Sequence, residues 1–160
     1  MKFKNFIIGA ALLGSIIFSV CAATGRLKIG NDPDTKAAET VVRNYFKYEN
    51  EKNKEKVLST LTDRFKSPNV VWGYDDLESI KLIGIQEEMN NNIKGSYLKD
   101  GQGSVNGTTE KNLKVFRVTY RVKYKENNKS AQESGKYVWW FNVIRKDENS
   151  PWLIDDFGEL

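Results

Sequence analysis

The segment "YVWWFNVI", residues 137–144, places two tryptophans side by side in a stretch rich in β-branched and aromatic residues. This composition predicts a β-strand, in which successive side chains point to opposite faces of the sheet. Trp139 and Trp140 must therefore lie on opposite faces. Burying one large ring contributes roughly 4 to 6 kcal/mol, which is comparable to the whole stability of a small domain. Each tryptophan thus needs a cover of its own.

Alternating apolar and polar residues predict the rest of an antiparallel sheet. In residues 113–125, "LKVFRVTYRVKYK", large apolar side chains alternate with mostly basic ones, which predicts one buried and one solvated face. Residues 136–146 and 152–158 follow after polar turns, so the three strands form a meander. Residues 80–89 predict an earlier strand, and residues 93–98 predict a short strand within a long Asn- and Gly-rich segment.

Two helices precede the sheet. The first has Asp32 or Asp34 as its cap and Pro33 in its first turn, and the second restarts near Asn53. The apolar positions at helical spacing, which we expect to face the sheet, are Ala37, Ala38, Val41, Val42, Tyr45, Phe46, Val57, Leu58 and Leu61. The helix layer therefore covers one face of the sheet.

The other face of the sheet needs a second cover. Val138, Trp140 and Ile144 lie on this face by alternation. The cover is either a second copy of the chain, in a homodimer through the sheet, or a loop folded back, such as the one around Trp72. The predicted fold is α+β, with two N-terminal helices packed on a strongly curved antiparallel sheet.

An apolar leader precedes this domain. Residues 1–23 begin with two lysines, continue as an apolar run and end in small residues, which is the pattern of a secretory signal. Three fates are open for this predicted signal or anchor helix: lipidation at Cys21, cleavage after Ala22 or Ala23, or retention as a membrane anchor. Each places the domain outside the cytoplasmic face of the membrane.

The chain behind the leader divides into a tether and one domain. Residues 24–34 are polar and contain Gly and Pro, as expected of a tether. Residues 35–160 have the length of a single packed domain. The predicted organisation is therefore an exported, membrane-attached α+β domain.

The composition excludes several chemistries. The formal net charge is +4, and Lys2 and Lys4 lie in the leader, so the remainder carries +2 (4 − 2), with acids and bases interspersed. No one-signed basic stripe is present, so we expect no nucleic-acid partner. The chain has no histidine, which excludes histidine-based triads and zinc sites. The single cysteine, Cys21, lies in the leader, and we expect neither a metal nor a cofactor in the domain.

Two sets of residues are candidates for a site. Trp72, Tyr74 and Trp139 are candidates for ligand binding, because aromatic groups in a loop and on a sheet face can line a pocket. Asp156 is the alternative candidate: in phase with Trp152 and Ile154 it should face inward, where it would act as a general base with Tyr120 as hydrogen-bond donor.

Three stretches resemble a known family. "YFKYENEKNKEKVLSTLT", "NVVWGYDDLESIKLIGIQEE" and "WLIDDFG" are similar to the bacterial family called domain of unknown function 4829, over residues 37–158. The order of helices, loop and bent sheet also resembles the cone-shaped nuclear transport factor 2-like superfamily. The resemblance implies the fold and an exported location, and a pocket between sheet and helices. It implies no activity, because the family has none established.

Two functions follow as expectations. The first is a non-catalytic binding or interaction domain for an unknown small ligand or envelope protein, because the sequence has no convergent set of catalytic residues. The alternative is a small pocket enzyme of the isomerase or dehydratase type that uses a carboxylate as its base.

Overall fold

The computed structural model describes residues 32–70, 72–125 and 132–160. Its elements, in chain order, are α1 (Pro33–Asn50), α2 (Lys54–Leu58), β1 (Leu77–Glu87), α3 (Asn91–Lys99), α4 (Gln102–Asn106), β2 (Leu113–Tyr124), β3 (Gly135–Ile144) and β4 (Leu153–Gly158). The predicted leader, with Cys21, lies outside these residues. Within the described ranges, no helix has both the length and the apolar character needed to cross a membrane.

Helix α1 begins where the sequence predicts it. The Asp32 side chain accepts hydrogen bonds from the backbone amides of Asp34 and Thr35, at 3.4 and 3.3 Å, and Pro33 opens the first turn. Ala38, Val42 and Phe46 lie one turn apart and are buried. This apolar stripe packs α1 against the sheet, so the prediction of a first helix is confirmed.

The four strands form one antiparallel sheet in the order β1-β2-β3-β4. Helices pack against this sheet, so the predicted α+β class is confirmed. We call the face that packs against α1 the inner face and the face that packs against α3 the outer face. On β2, Phe116, Val118, Tyr120 and Val122 are buried on the inner face.

The two adjacent tryptophans lie on opposite faces of the sheet. Trp139 packs on the inner face, with its ring 5.6 Å from Tyr120 and 6.2 Å from Phe157, centroid to centroid. Trp140 packs on the outer face against a second cluster that contains Tyr97 of α3 and Leu113. Both rings are partly buried, so each has a cover within the chain.

Within the described residues, the outer cover is not the predicted loop around Trp72. It comes from α3, which replaces the short strand predicted at residues 93–98. The Asn90 side chain caps the helix by accepting from the Asn92 amide at 2.9 Å, and Ile93 and Tyr97, one turn apart, both pack in the outer cluster. The Trp72 loop instead packs against the inner cluster.

A buried hydrogen-bond network fixes α3 and α4 to the last strand. The Asp155 carboxylate accepts from the Tyr97 hydroxyl at 2.7 Å, from the Asn106 amide at 3.0 Å and from the Thr62 hydroxyl at 2.8 Å. Asp155 is buried, so each donor compensates part of the cost of removing the carboxylate from water. The network therefore holds the outer cover in place.

We expect Tyr97→Phe to lower the free energy of unfolding by roughly 1.5 to 3 kcal/mol, because it removes a hydrogen bond to a buried carboxylate. Urea denaturation monitored by circular dichroism measures this loss. The control is Tyr137→Phe, since that hydroxyl donates to the Glu133 carbonyl at an exposed position. Equal effects of the two substitutions would show that the Asp155 network does not hold α3.

Candidate functional site

A pocket of about 620 Å3 opens on the inner face of the sheet. Its described lining includes nine aromatic residues: Tyr45, Phe46, Phe65, Trp72, Tyr120, Tyr124, Trp139, Phe141 and Phe157. The lining extends from buried Phe141 to exposed Gly73 and Asp75, so the pocket reaches from the core to the surface. A volume of this size is typical of sites for small molecules, which are usually concave and mostly apolar.

Three carboxyl groups line this pocket, those of Glu49, Asp75 and Asp76, and the buried one is that of Glu49, in the last turn of α1. Glu49 is buried, with 8% of its surface exposed. Burial raises its pKa to about 7, and the nearby Tyr45 and Tyr74 hydroxyls only partly offset this increase. Near neutral pH the group can therefore be either a neutral hydrogen-bond donor or an anion.

We did not predict Glu49 as a site residue, although its spacing from the apolar residues of α1 indicates that it is buried. Glu49 follows Val42 by seven residues and Phe46 by three, so it continues the buried stripe of α1. A carboxylate in phase with the core stripe is uncommon, because burying a charge is costly. The helical period thus places Glu49 on the inner face, whereas our candidates came from loops and strands.

The structure brings most of the predicted aromatic candidates to this pocket. Trp72, Trp139 and Tyr120 all line it. Tyr74 packs beside Trp72, with 5.9 Å between ring centroids, and its buried hydroxyl has no partner in hydrogen-bond geometry among the described residues. The Tyr120 hydroxyl accepts from the Gln132 amide at 2.9 Å. The three residues predicted to bind a ligand are therefore close to one another, and whether they bind one stays a prediction.

The prediction that Asp156 faces inward is wrong. Asn142 pairs with Asp156 but Val143 pairs with Ile154, so Asp155 is an extra residue that interrupts the alternation of β4. Asp156 lies on the outer side, where its carboxylate is 3.4 Å from Arg64 and its side chain is 41% exposed. Asp156 and Tyr120 thus lie on opposite faces of the sheet.

The predicted interface residues lie on the outer face. Trp140 and Ile144 pack against the cluster of Tyr97, Leu113 and Val115, and the Trp140 indole donates to Glu88 at 3.0 Å. Val138, on the same strand, is half-buried. Helix α3 therefore covers most of the surface that a second copy was predicted to cover.

Charged residues do not form a metal site in the part of the chain that the structure describes. No group of three or more Asp, Glu, Cys or His side chains lies close enough there to hold an ion. Glu49 lies among tyrosines, and Asp155 is hydrogen-bonded to a tyrosine, an asparagine and a threonine.

The fold and the pocket define a small α+β domain whose helices and antiparallel sheet enclose an aromatic cavity with one buried carboxyl group. The chain belongs to the family described as domain of unknown function (DUF4829), whose model matches residues 39–158. The predicted resemblance to this family is confirmed. No curated protein and no solved structure matches the chain.

We expect the free energy of unfolding to fall by about 3 kcal/mol as the pH rises from about 4.5 to about 7, through Glu49 alone. In this window the folded protein keeps the Glu49 proton, whereas the unfolded chain, with the ordinary pKa of 4.5, has lost it. The folded state thus binds more protons, and a higher pH favours unfolding. Glu49→Gln should remove this dependence, so its gain in stability over wild type is larger at pH 8 than at pH 5.

Urea denaturation at both pH values measures the effect. Glu51→Gln is the matched control, because Glu51 follows Glu49 by two residues and is exposed. The control should keep the pH dependence of the wild type. A Glu49→Gln variant with the same pH dependence as the wild type would contradict a raised pKa at this position.

Proposed function

We propose that this chain is an exported, membrane-tethered, non-catalytic binding domain that holds a small ligand in its inner pocket. The observation that carries the proposal is the pocket of about 620 Å3 with its aromatic lining. Large rings left facing a cavity represent unburied apolar surface, and a ligand with apolar surface would complete their burial. The described lining holds few polar groups, which would orient the ligand and supply specificity.

The location in this proposal rests on the sequence of the leader. Residues 1–23 have the three-part pattern of a secretory signal, and residues 24–34 would serve as the tether. Three fates of the leader stay open: lipidation at Cys21 or a retained anchor, which would both attach the domain to the membrane, and cleavage, which would release it.

The same proposal includes the wider fold family. We place the domain with the bacterial members of the nuclear transport factor 2-like superfamily. Helices on one face of an antiparallel sheet, with a pocket between them, support this placement. The order of helices and strands along the chain supports it as well.

A homodimer through the outer face stays a prediction. Because α3 packs on Trp140 and Ile144, a second copy would meet the outside of α3 and the exposed part of β3. The alternative prediction is that the partner at this face is an envelope protein. Neither partner is required by the aromatic pocket, which lies on the inner face.

A second candidate function is a pocket enzyme of the isomerase or dehydratase type. The observation that favours it is the pKa of Glu49, raised by burial to about 7, since a general base works best when its pKa lies near the operating pH. In this alternative Glu49 replaces Asp156 as the carboxylate, and Tyr45 or Tyr120 would donate a hydrogen bond. Glu49→Gln would then bind its substrate but not turn it over.

We expect the neutral apolar dye N-phenyl-1-naphthylamine to bind the domain, and Trp139→Ala to weaken its binding at least about tenfold. The lost ring contact corresponds to roughly 1.4 kcal/mol or more. Dye fluorescence titration measures the dissociation constant. Trp140→Ala is the matched control, because it removes the same side chain from the neighbouring position on the opposite face.

The control variant should keep the affinity of the wild type within about twofold. Circular dichroism establishes that both variants are folded. Absence of dye binding by the wild type would contradict a ligand pocket on the inner face. Equal weakening by both substitutions would place the dye elsewhere.

A further inference from the structure

We propose that the inner pocket selects organic cations, such as quaternary or protonated amines attached to an apolar group. The proposal rests on the proposed function and names the ligand class of the same pocket. It is carried by the chemistry of the lining, which combines aromatic rings with carboxyl groups.

The aromatic rings of the lining favour a cationic ligand. The face of an aromatic ring carries negative charge density, which attracts a cation within about 6 Å of the ring centre, most strongly for Trp. Trp72, Trp139, Tyr120 and Tyr124 all line the pocket. Several rings around one cavity give a cation several such contacts at once. An apolar substituent would pack against the same rings.

The charged residues of the lining also favour a cationic ligand. Glu49, Asp75 and Asp76 line the pocket, and none of its described lining residues is Lys or Arg. Carboxylates unmatched by cations in a partly enclosed, low-dielectric site give the cavity a negative potential. This potential favours a cation over a neutral ligand and disfavours an anion.

Two lysines lie near the pocket, and each places its ammonium group against a residue of the lining. The Lys54 ammonium lies 5.6 Å from the centre of the Trp72 ring, so this ring already accepts a cation. The Lys125 ammonium donates to the Asp75 backbone carbonyl at 2.9 Å. Neither residue is part of the described lining.

Glu49 is the group that a bound cation would affect most. Its carboxyl is buried beside two tyrosines, with no described salt-bridge partner. A cation in the pocket would supply the missing opposite charge and favour the ionised form. The rim residues Asp75 and Asp76 would add a longer-range attraction. Glu49 is therefore the residue whose charge should decide the preference.

The test compares two probes of nearly equal shape, the cation phenyltrimethylammonium and its neutral isostere tert-butylbenzene. Dissociation constants are measured at pH 8 and constant ionic strength by ligand-observed NMR. We expect the domain to bind the cation about tenfold more tightly than the neutral isostere. Glu49→Gln should remove most of this preference and leave the affinity for tert-butylbenzene unchanged within about twofold.

Two further variants make the test specific. Asp76→Asn, at the rim, should reduce the preference about two- to threefold. Glu78→Gln should leave it unchanged, because Glu78 pairs with Lys123 and does not line the pocket. A preference that survives both Glu49→Gln and Asp76→Asn would overturn the role that the proposal gives to the carboxyl groups.

The outcomes separate this inference from the proposed function. Equal affinities for the two probes, or tighter binding of tert-butylbenzene, would overturn the cation proposal and leave the binding pocket in place. Failure of both probes to bind would overturn both proposals. A preference for the cation that is lost in the Glu49→Gln variant would support both proposals.

Discussion

The burial of β3 on both faces is the constraint on which the rest of the structure depends. Its inward rings, Trp139 and Phe141, need one apolar layer, and Trp140 needs another on the opposite side. A single-layer cover would leave one indole in water, at a cost comparable to the stability of a small domain. The chain provides α1 and the Trp72 loop on the inner face and α3 on the outer face, and Asp155 anchors the outer layer through Tyr97.

The two covers are not equivalent. The outer one packs closely on Trp140, and its polar groups are satisfied by the Asp155 network. The inner one leaves a cavity between rings and contains a buried carboxyl group. Keeping Glu49 protonated in the fold costs stability above its ordinary pKa, because the unfolded chain can ionise freely. This feature costs stability and lies in a pocket, which is the reason that we propose a role in ligand binding for it.

The regular elements could be predicted because each has a local periodic signal. The alternation in β2 and the Asp32 cap of α1 identify their elements directly. Helix α3 was missed because its apolar residues, Ile93 and Tyr97, are few and lie in an Asn- and Gly-rich segment, so its stability comes mainly from packing on Trp140.

The site was only partly predictable, for a related reason. Trp72 and Trp139 could be named from their size and position. Asp156 was placed on the wrong face because a bulge at Asp155 breaks the alternation, and a bulge depends on strand pairing that no local pattern specifies. Glu49 was detectable in principle, since it continues the buried stripe of α1.

The most direct test of the account is the response of the indole N–H signals in a two-dimensional 1H–15N NMR spectrum as phenyltrimethylammonium is added. Substitution of each tryptophan in turn assigns the four signals, which belong to Trp72, Trp139, Trp140 and Trp152. We expect the Trp139 and Trp72 signals to shift with ligand concentration while the Trp140 signal stays in place. A shift of Trp140 together with a constant Trp139 signal would contradict the assignment of the ligand site to the inner face.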